Sequence, residues 1–138
     1  HYSSRRQRQM CIRDRVEAAS IVVITAPMYT FTIPASLKAW IEYLNRPGRA
    51  FVHTEDGDRG LLVNKKVFVV LTRGSKFSID DPMNFQERYL TSVLSFFGMT
   101  DVTFIVAEAT ASEEGKQQIA KAIEKAEQLG ADIAKIVS

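Results

Sequence analysis

The chain has 138 residues, 46% of them apolar and 25% charged, which is the composition of one globular domain with a buried core. No apolar run approaches the roughly 18 residues of a membrane span, and the one cysteine, Cys11, excludes an internal disulfide. The two histidines are too few and too scattered for a zinc site. We therefore expect a cytoplasmic protein without a bound metal or a membrane partner.

The basic charge of the chain is concentrated at its start. Residues 1–15 contain five arginines and one aspartate, whereas residues 16–138 carry 13 basic and 15 acidic groups. A basic arm can bind nucleic-acid phosphates, but this segment has neither strand alternation nor a sustained helical stripe. We predict that residues 1–15 are a foreign or disordered leader outside the fold, and that no nucleic acid is bound.

Apolar strands alternate with amphipathic helices along residues 16–138. After a short helix tail at 16–20, the predicted elements are a strand at Ile21–Thr25, a helix at Ala35–Asn45, a strand at Lys66–Leu71, a helix at Asn84–Phe97, a strand at Val102–Ala107 and a helix at Glu113–Val137. Residues 49–64 are predicted to form a polar connection with a turn at 55–58. Strands that are apolar on both faces and separated by helices indicate a parallel sheet covered on both sides.

The last helix has two predicted features. Ser112 is a plausible N-cap, with Glu113 and Glu114 favouring the positive end of the helix. Its apolar stripe is expected to pack on the sheet and consists of Ile119, Ile123, Ala126, Gly130, Ile133 and Val137.

The loop after the first strand is the most informative part of the sequence. It reads Pro27-Met28-Tyr29-Thr30-Phe31, so two aromatic side chains and a small polar one follow directly on a buried strand. In open α/β sheets, ligands bind beyond the carboxyl ends of the strands. The pattern predicts a site for a flat aromatic ligand, and the loop after the second strand, at 72–75, is expected to lie beside it.

Three segments, in order, resemble one enzyme family. They are Pro27–Phe31, Thr72–Ser75 and Tyr89–Val102, and together they are similar to signatures of the FMN-dependent NADH azoreductases, also called FMN-dependent NADH:quinone oxidoreductases. The similarity runs from about Val16 to the C-terminus. The resemblance implies a flavodoxin-like three-layer α/β fold with strand order 2-1-3-4-5, and a homodimer that holds FMN at the subunit interface.

In flavodoxin-like folds the FMN phosphate lies in the loop after the first strand, at a helix N-terminus. No strand with a Ser/Gly-rich loop precedes Ile21 in this sequence. We therefore interpret Ile21–Thr25 as the third strand of the sheet. The first two strands and the phosphate loop are expected to be missing, so that residues 16–138 are the C-terminal part of one flavodoxin-like domain.

The resemblance also implies the cofactor contacts. Those along the isoalloxazine ring are Met28, Tyr29, Thr30 and Phe31, and those at its pyrimidine side are Thr72, Arg73, Gly74 and Ser75. Thr30 replaces the usual asparagine, and Ser75 replaces a glycine. The serine would crowd the site unless its φ is negative. The alternative for Tyr29 and Phe31 is that they are loop aromatics packed on the next helix. For Gly74 the alternative is a plain turn.

Two further residues match family positions near the acceptor. His53 stands where the family often has a tyrosine that reaches the partner's flavin, and Phe96 matches a residue that walls the partner's substrate pocket. The alternatives are an exposed loop histidine without a role and a phenylalanine in the core.

The implied function is two-electron transfer from NADH through FMN to quinones or azo compounds, in a ping-pong reaction. No acid/base pair or nucleophile stands out, and flavin chemistry requires none from the protein. A flavodoxin-like electron carrier or redox-sensing flavin binder without NADH turnover remains an alternative. A non-catalytic interaction module, or an inactive fragment, is another.

Overall fold

A computed structural model describes the backbone of residues 2–137 and the side chains of residues 10–135. The elements are, in chain order, α1 (Tyr2–Ala18), β1 (Ile21–Pro27), α2 (Ala35–Leu44), β2 (Phe51–Thr54), β3 (Gly57–Gly60), β4 (Lys66–Thr72), α3 (Phe85–Phe96), β5 (Asp101–Ala107) and α4 (Gly115–Val137). The three predicted strands and the predicted helices after residue 20 are confirmed to within two residues at each end. Within the described part of the chain, no helix is long and apolar enough to cross a membrane.

The three long strands form a parallel sheet in the order β1-β4-β5. Each strand is joined to its neighbour in the sheet through a crossover that contains a helix, α2 between β1 and β4 and α3 between β4 and β5. Parallel strands require such crossovers. All three carboxyl ends therefore lie at one edge of the sheet, and a parallel flavodoxin-like sheet is what the sequence predicted.

The core lies where β4 meets helices α2 and α3. Val69 and Leu71 of β4 are fully buried, and Leu90 of α3 packs in the same cluster. On the other side of the sheet, Val23 of β1 remains 63% exposed. The prediction that helices cover both faces is therefore met at β4 but not at β1.

Helix α4 packs on β5 with only part of its predicted stripe. Ile133 is half-buried, but Ile119 and Ile123 are 41% and 53% exposed. A 23-residue helix is roughly 35 Å long, whereas a seven-residue strand spans about 23 Å, so β5 cannot cover the whole helix. The N-cap prediction for Ser112 is wrong, because α4 begins at Gly115 and the Ser112 hydroxyl donates to the carbonyl of Ala109.

Residues 2–15 form most of α1 and so are helical rather than disordered, whereas the prediction that the segment is foreign stays a prediction. Arginine and glutamine have high helix propensity, so a helix forms here without an apolar stripe. Ile12 packs against the core, and Asp14 accepts a hydrogen bond from Arg49 at 2.6 Å. The part of this prediction that concerns His1 lies outside the described residues.

A hairpin occupies the region predicted to be a polar connection. Strands β2 and β3 pair antiparallel around the predicted turn, with Gly57 at φ 115°. The strands escaped prediction because β3, with Asp58 and Arg59, is polar and largely exposed. Gly60 anchors the hairpin, since a Cβ there would lie 2.1 Å from the backbone nitrogen of Gly98.

Candidate functional site

The loops after β1 and β4 lie side by side at the carboxyl edge of the sheet. Pro27 pairs with Thr72 in the parallel register, and the Met28 N–H donates to the carbonyl of Thr72 at 2.7 Å. The predicted adjacency of the two loops is confirmed.

The β1 loop is a tight turn with strained backbone. Tyr29 and Thr32 exchange two backbone hydrogen bonds, of 2.9 and 3.1 Å, around Thr30 and Phe31. These two central residues have φ of 46° and 68°, in the left-handed region that costs an L-residue about 1–2 kcal/mol. For a β-branched residue such as Thr30 this conformation is a true outlier. Strain of this kind is concentrated at functional sites, so the turn is the best candidate for a ligand contact.

The aromatic side chains of this turn face solvent rather than the following helix. Tyr29 is 61% exposed and Phe31 is 40% exposed. The Phe31 ring packs edge-to-face on Phe77, with centroids 6.3 Å apart. Within the described part of the chain, the backbone N–H groups of Thr30 and Phe31 make no hydrogen bond. The turn therefore exposes aromatic surface and two unbonded backbone donors.

The β4 loop offers an open surface beside the turn. Thr72, Gly74 and Ser75 are exposed, and a Cβ on Gly74 would meet only the Ala111 side chain, at 3.8 Å. Among residues 2–137, the non-glycine residues with positive φ do not include Ser75. Ser75 therefore lacks the positive φ at which serine in place of glycine would crowd the site.

Arg73 points away from this surface. It is 5% exposed, and its Nε donates to Glu108 Oε1 at 2.8 Å. Its two terminal nitrogens donate to Asn84 Oδ1 and to the carbonyl of Phe77, each at 3.1 Å. Sequence reasoning missed Glu108 and Asn84 as parts of the site. Glu108 directly follows β5 and Asn84 directly precedes α3, and both of these ends lie at this edge of the sheet.

A cavity of about 490 Å³ adjoins the turn. It lies between the turn and the first two turns of α3 and is lined by Thr30, Thr32, Phe85, Arg88, Tyr89 and Ser92. The four α3 residues share one helical face. Their spacing in the sequence, 85, 88, 89 and 92, was the signal that could have predicted this wall of the cavity. Another cavity, also of about 490 Å³, lies at the amino end of the strands near Ser20 and Asp101, remote from both loops.

His53 and Phe96 come together on another part of the surface. The Phe51 ring lies between them, 5.2 Å from the His53 ring and 4.9 Å from the Phe96 ring. His53 Nδ1 is 2.5 Å from Asp58 Oδ1. Phe96 is 37% exposed and therefore not a core residue. It follows Ser92 by one helical turn, on the same side of α3 as the cavity.

Comparison with known proteins agrees with this architecture. The sequence pattern of the family described as "Flavodoxin-like fold" matches residues 4–129. The chain is 46% identical over 114 residues to the FMN-dependent NADH:quinone oxidoreductase 1 of Trichormus variabilis, matching 81% of this chain and 55% of that protein. It is 42% identical over 133 residues to the FMN-dependent NADH:quinone oxidoreductase of Azospirillum brasilense, matching 91% of this chain and 63% of that protein.

A solved structure shares the fold. The FMN-dependent NADH-azoreductase of Bacillus anthracis, determined in complex with FMN, superposes with a TM-score of 0.87 at 24% identity, over 96% of this chain and 64% of that one. The chain thus spans between about half and two thirds of the length of these proteins. Because the family pattern matches residues 4–129, which is most of the chain, the chain belongs to the flavodoxin-like-fold family.

Proposed function

We propose that this chain is part of an FMN-dependent NADH:quinone oxidoreductase that also reduces azo compounds. The observation that carries the proposal is the strained, exposed turn at 29–32, hydrogen-bonded beside the β4 loop at the carboxyl edge of a parallel sheet. The two relatives with 42% and 46% identity bear the corresponding name, which supports the same activity here.

The residues present fit a flavin. Tyr29 and Phe31 supply exposed aromatic surface, and the N–H groups of Thr30 and Phe31 are available as donors. The β4 loop supplies Thr72, Gly74 and Ser75 without a side chain that blocks approach. Bound FMN supplies the two-electron chemistry, which the protein itself lacks.

The chain's own residues orient the flavin and give its acceptor a surface to lie on. Left-handed backbone at Thr30 and Phe31 holds their N–H groups in place before any ligand arrives, so binding does not require the turn to reorganise. The adjoining cavity, with Phe85 and Tyr89 on its wall, gives a flat acceptor an apolar surface.

The proposed assembly is a homodimer in the cytoplasm. Exposed apolar side chains on the α3 side, Phe85 at 50% and Phe96 at 37%, support a partner surface there. Across that interface His53 and Phe96 are proposed to cover the partner's acceptor. The exposed free thiol of Cys11 is typical of a reducing compartment.

The test compares two proteins. One is the 138-residue chain, and the other is the same chain joined to the part of the Trichormus variabilis relative that the match leaves uncovered. We expect the joined protein to purify with flavin absorbance near 450 nm and to oxidise NADH steadily when menadione is added, whereas the chain alone binds FMN weakly. A joined, folded protein that binds no FMN contradicts the proposal, and one that binds FMN without NADH turnover is an electron carrier.

A further inference from the structure

One buried arginine connects the carboxyl ends of β4 and β5 with the start of α3. The Arg73 side chain, 4% exposed, begins where β4 ends. Its guanidinium bonds to Glu108, which directly follows β5, with Nε to Oε1 at 2.8 Å and Nη2 to Oε1 at 2.5 Å. Nη1 donates to Asn84 Oδ1 at 3.1 Å, at the start of α3. Arg73 therefore holds three separate segments at one point.

The partners of Arg73 also hold the β4–α3 loop. Glu108 Oε1 accepts a hydrogen bond from the Phe77 N–H at 3.2 Å, and Asn84 Nδ2 donates to the carbonyl of Ser78 at 3.0 Å. Arg73 Nη2 itself donates to the Phe77 carbonyl at 3.1 Å. Both backbone groups of Phe77 are thus bonded to this network, which fixes the loop at residue 77.

The network reaches the strained turn through aromatic contacts. The Arg73 guanidinium carbon lies 5.7 Å from the centroid of the Phe77 ring, within the range of a cation–π contact. The Phe77 ring in turn meets Phe31 edge-to-face at 6.3 Å. A displacement of Phe77 would remove the packing partner of Phe31.

The geometry requires arginine rather than any cation. Glu87 is also near, with Oε2 at 3.4 Å from Nη1, so one guanidinium serves two partly buried carboxylates. The planar fork of arginine directs several donors at fixed angles, whereas a lysine ammonium is a single point with a flexible stem. Lysine would keep the charge and lose most of these bonds.

We propose that Arg73 is a positioning residue whose buried side chain lies outside the ligand surface and sets the shape of that surface by holding Phe77 and, through it, Phe31. The proposal deepens the proposed function and rests on it for its flavin part. Its structural part, the order of residues 74–78, holds independently of any flavin.

The first experiment uses the 138-residue chain and hydrogen exchange. Arg73→Lys should raise the exchange rate of the Phe77 amide, which is bonded to Glu108, at least tenfold and leave the rates of β4 unchanged. The matched control is Arg49→Lys, which alters an exposed arginine bonded to Asp14 and Glu17, and no change at Phe77 is expected there. Unchanged exchange at Phe77 in folded Arg73→Lys overturns the proposal.

The second experiment uses the joined protein described above. Arg73→Lys should weaken FMN binding at least tenfold and alter the visible circular dichroism of the bound flavin, whereas a purely structural role would lower only the melting temperature. If the unsubstituted joined protein binds no FMN, the proposed function fails, and hydrogen exchange still decides the role of Arg73. If Arg73→Lys does not fold, Glu108→Gln replaces it in both experiments, with at least threefold effects expected. The absence of an effect in Glu108→Gln overturns the proposal.

Discussion

Replacing Thr30 by asparagine tests whether the β1 turn is strained. Thr30 is exposed and has φ of 46°, so its side chain contributes little packing while its backbone conformation costs about 1–2 kcal/mol for an ordinary L-residue. Asparagine tolerates the left-handed region because its short amide can bond locally to the backbone. We expect Thr30→Asn to recover about 1 kcal/mol of unfolding free energy. For a domain of this size that raises Tm by about 3–5 °C.

The assay is thermal unfolding followed by circular dichroism at neutral pH. The control is Thr100→Asn, since Thr100 is also exposed and outside helices and strands but is not among the described residues with positive φ. No stabilisation is expected there. An unchanged or lower Tm in Thr30→Asn, or an equal rise in Thr100→Asn, would refute the assignment of strain to the turn.

Three further predictions follow from exposure, close contact and charge. Tyr29→Ala should lower the free energy of unfolding by well under the roughly 3–5 kcal/mol of a buried aromatic, because Tyr29 is 61% exposed, but should weaken FMN binding to the joined protein. A large fall in melting temperature with normal flavin affinity would remove Tyr29 from the site. In denaturant titrations, Gly60→Ala should lower the free energy of unfolding by roughly 1–3 kcal/mol, because its Cβ would clash with the Gly98 backbone. Gly130→Ala, which has open space around it in α4, should raise the free energy of unfolding by up to about 1 kcal/mol in the same titrations. The hydrogen bond from Lys76 lowers the pKa of Glu114, so the small stabilisation from this ion pair is present above the ordinary carboxyl pKa and is lost as the pH falls through the lowered value. The Tm difference between the unsubstituted protein and Glu114→Gln should therefore vanish in acid. A difference that persists in acid would exclude the ion pair as its cause.

The strands and the meeting of the two loops were predictable from the sequence. Continuous apolar runs such as Lys66–Leu71 indicate buried strands, and right-handed crossovers through helices bring parallel carboxyl ends to one edge. That topology is enough to place Met28 beside Thr72 before any coordinates are known. The exposed, polar hairpin at 51–60 could not be predicted in the same way, because its strands carry no period-2 apolar pattern.

Only the tertiary structure decided where the side chains of the site point. Arg73 stands in a loop whose neighbouring residues are exposed, and its partner Glu108 is 35 residues away and adjacent only because β4 and β5 pair. The left-handed backbone at Thr30 likewise runs against the preference of a β-branched residue, and the turn's closing bonds and the Phe31–Phe77 contact hold it in place. Sequence patterns report which residues are apolar and at what period, whereas direction and strain depend on groups that meet only after the chain has folded.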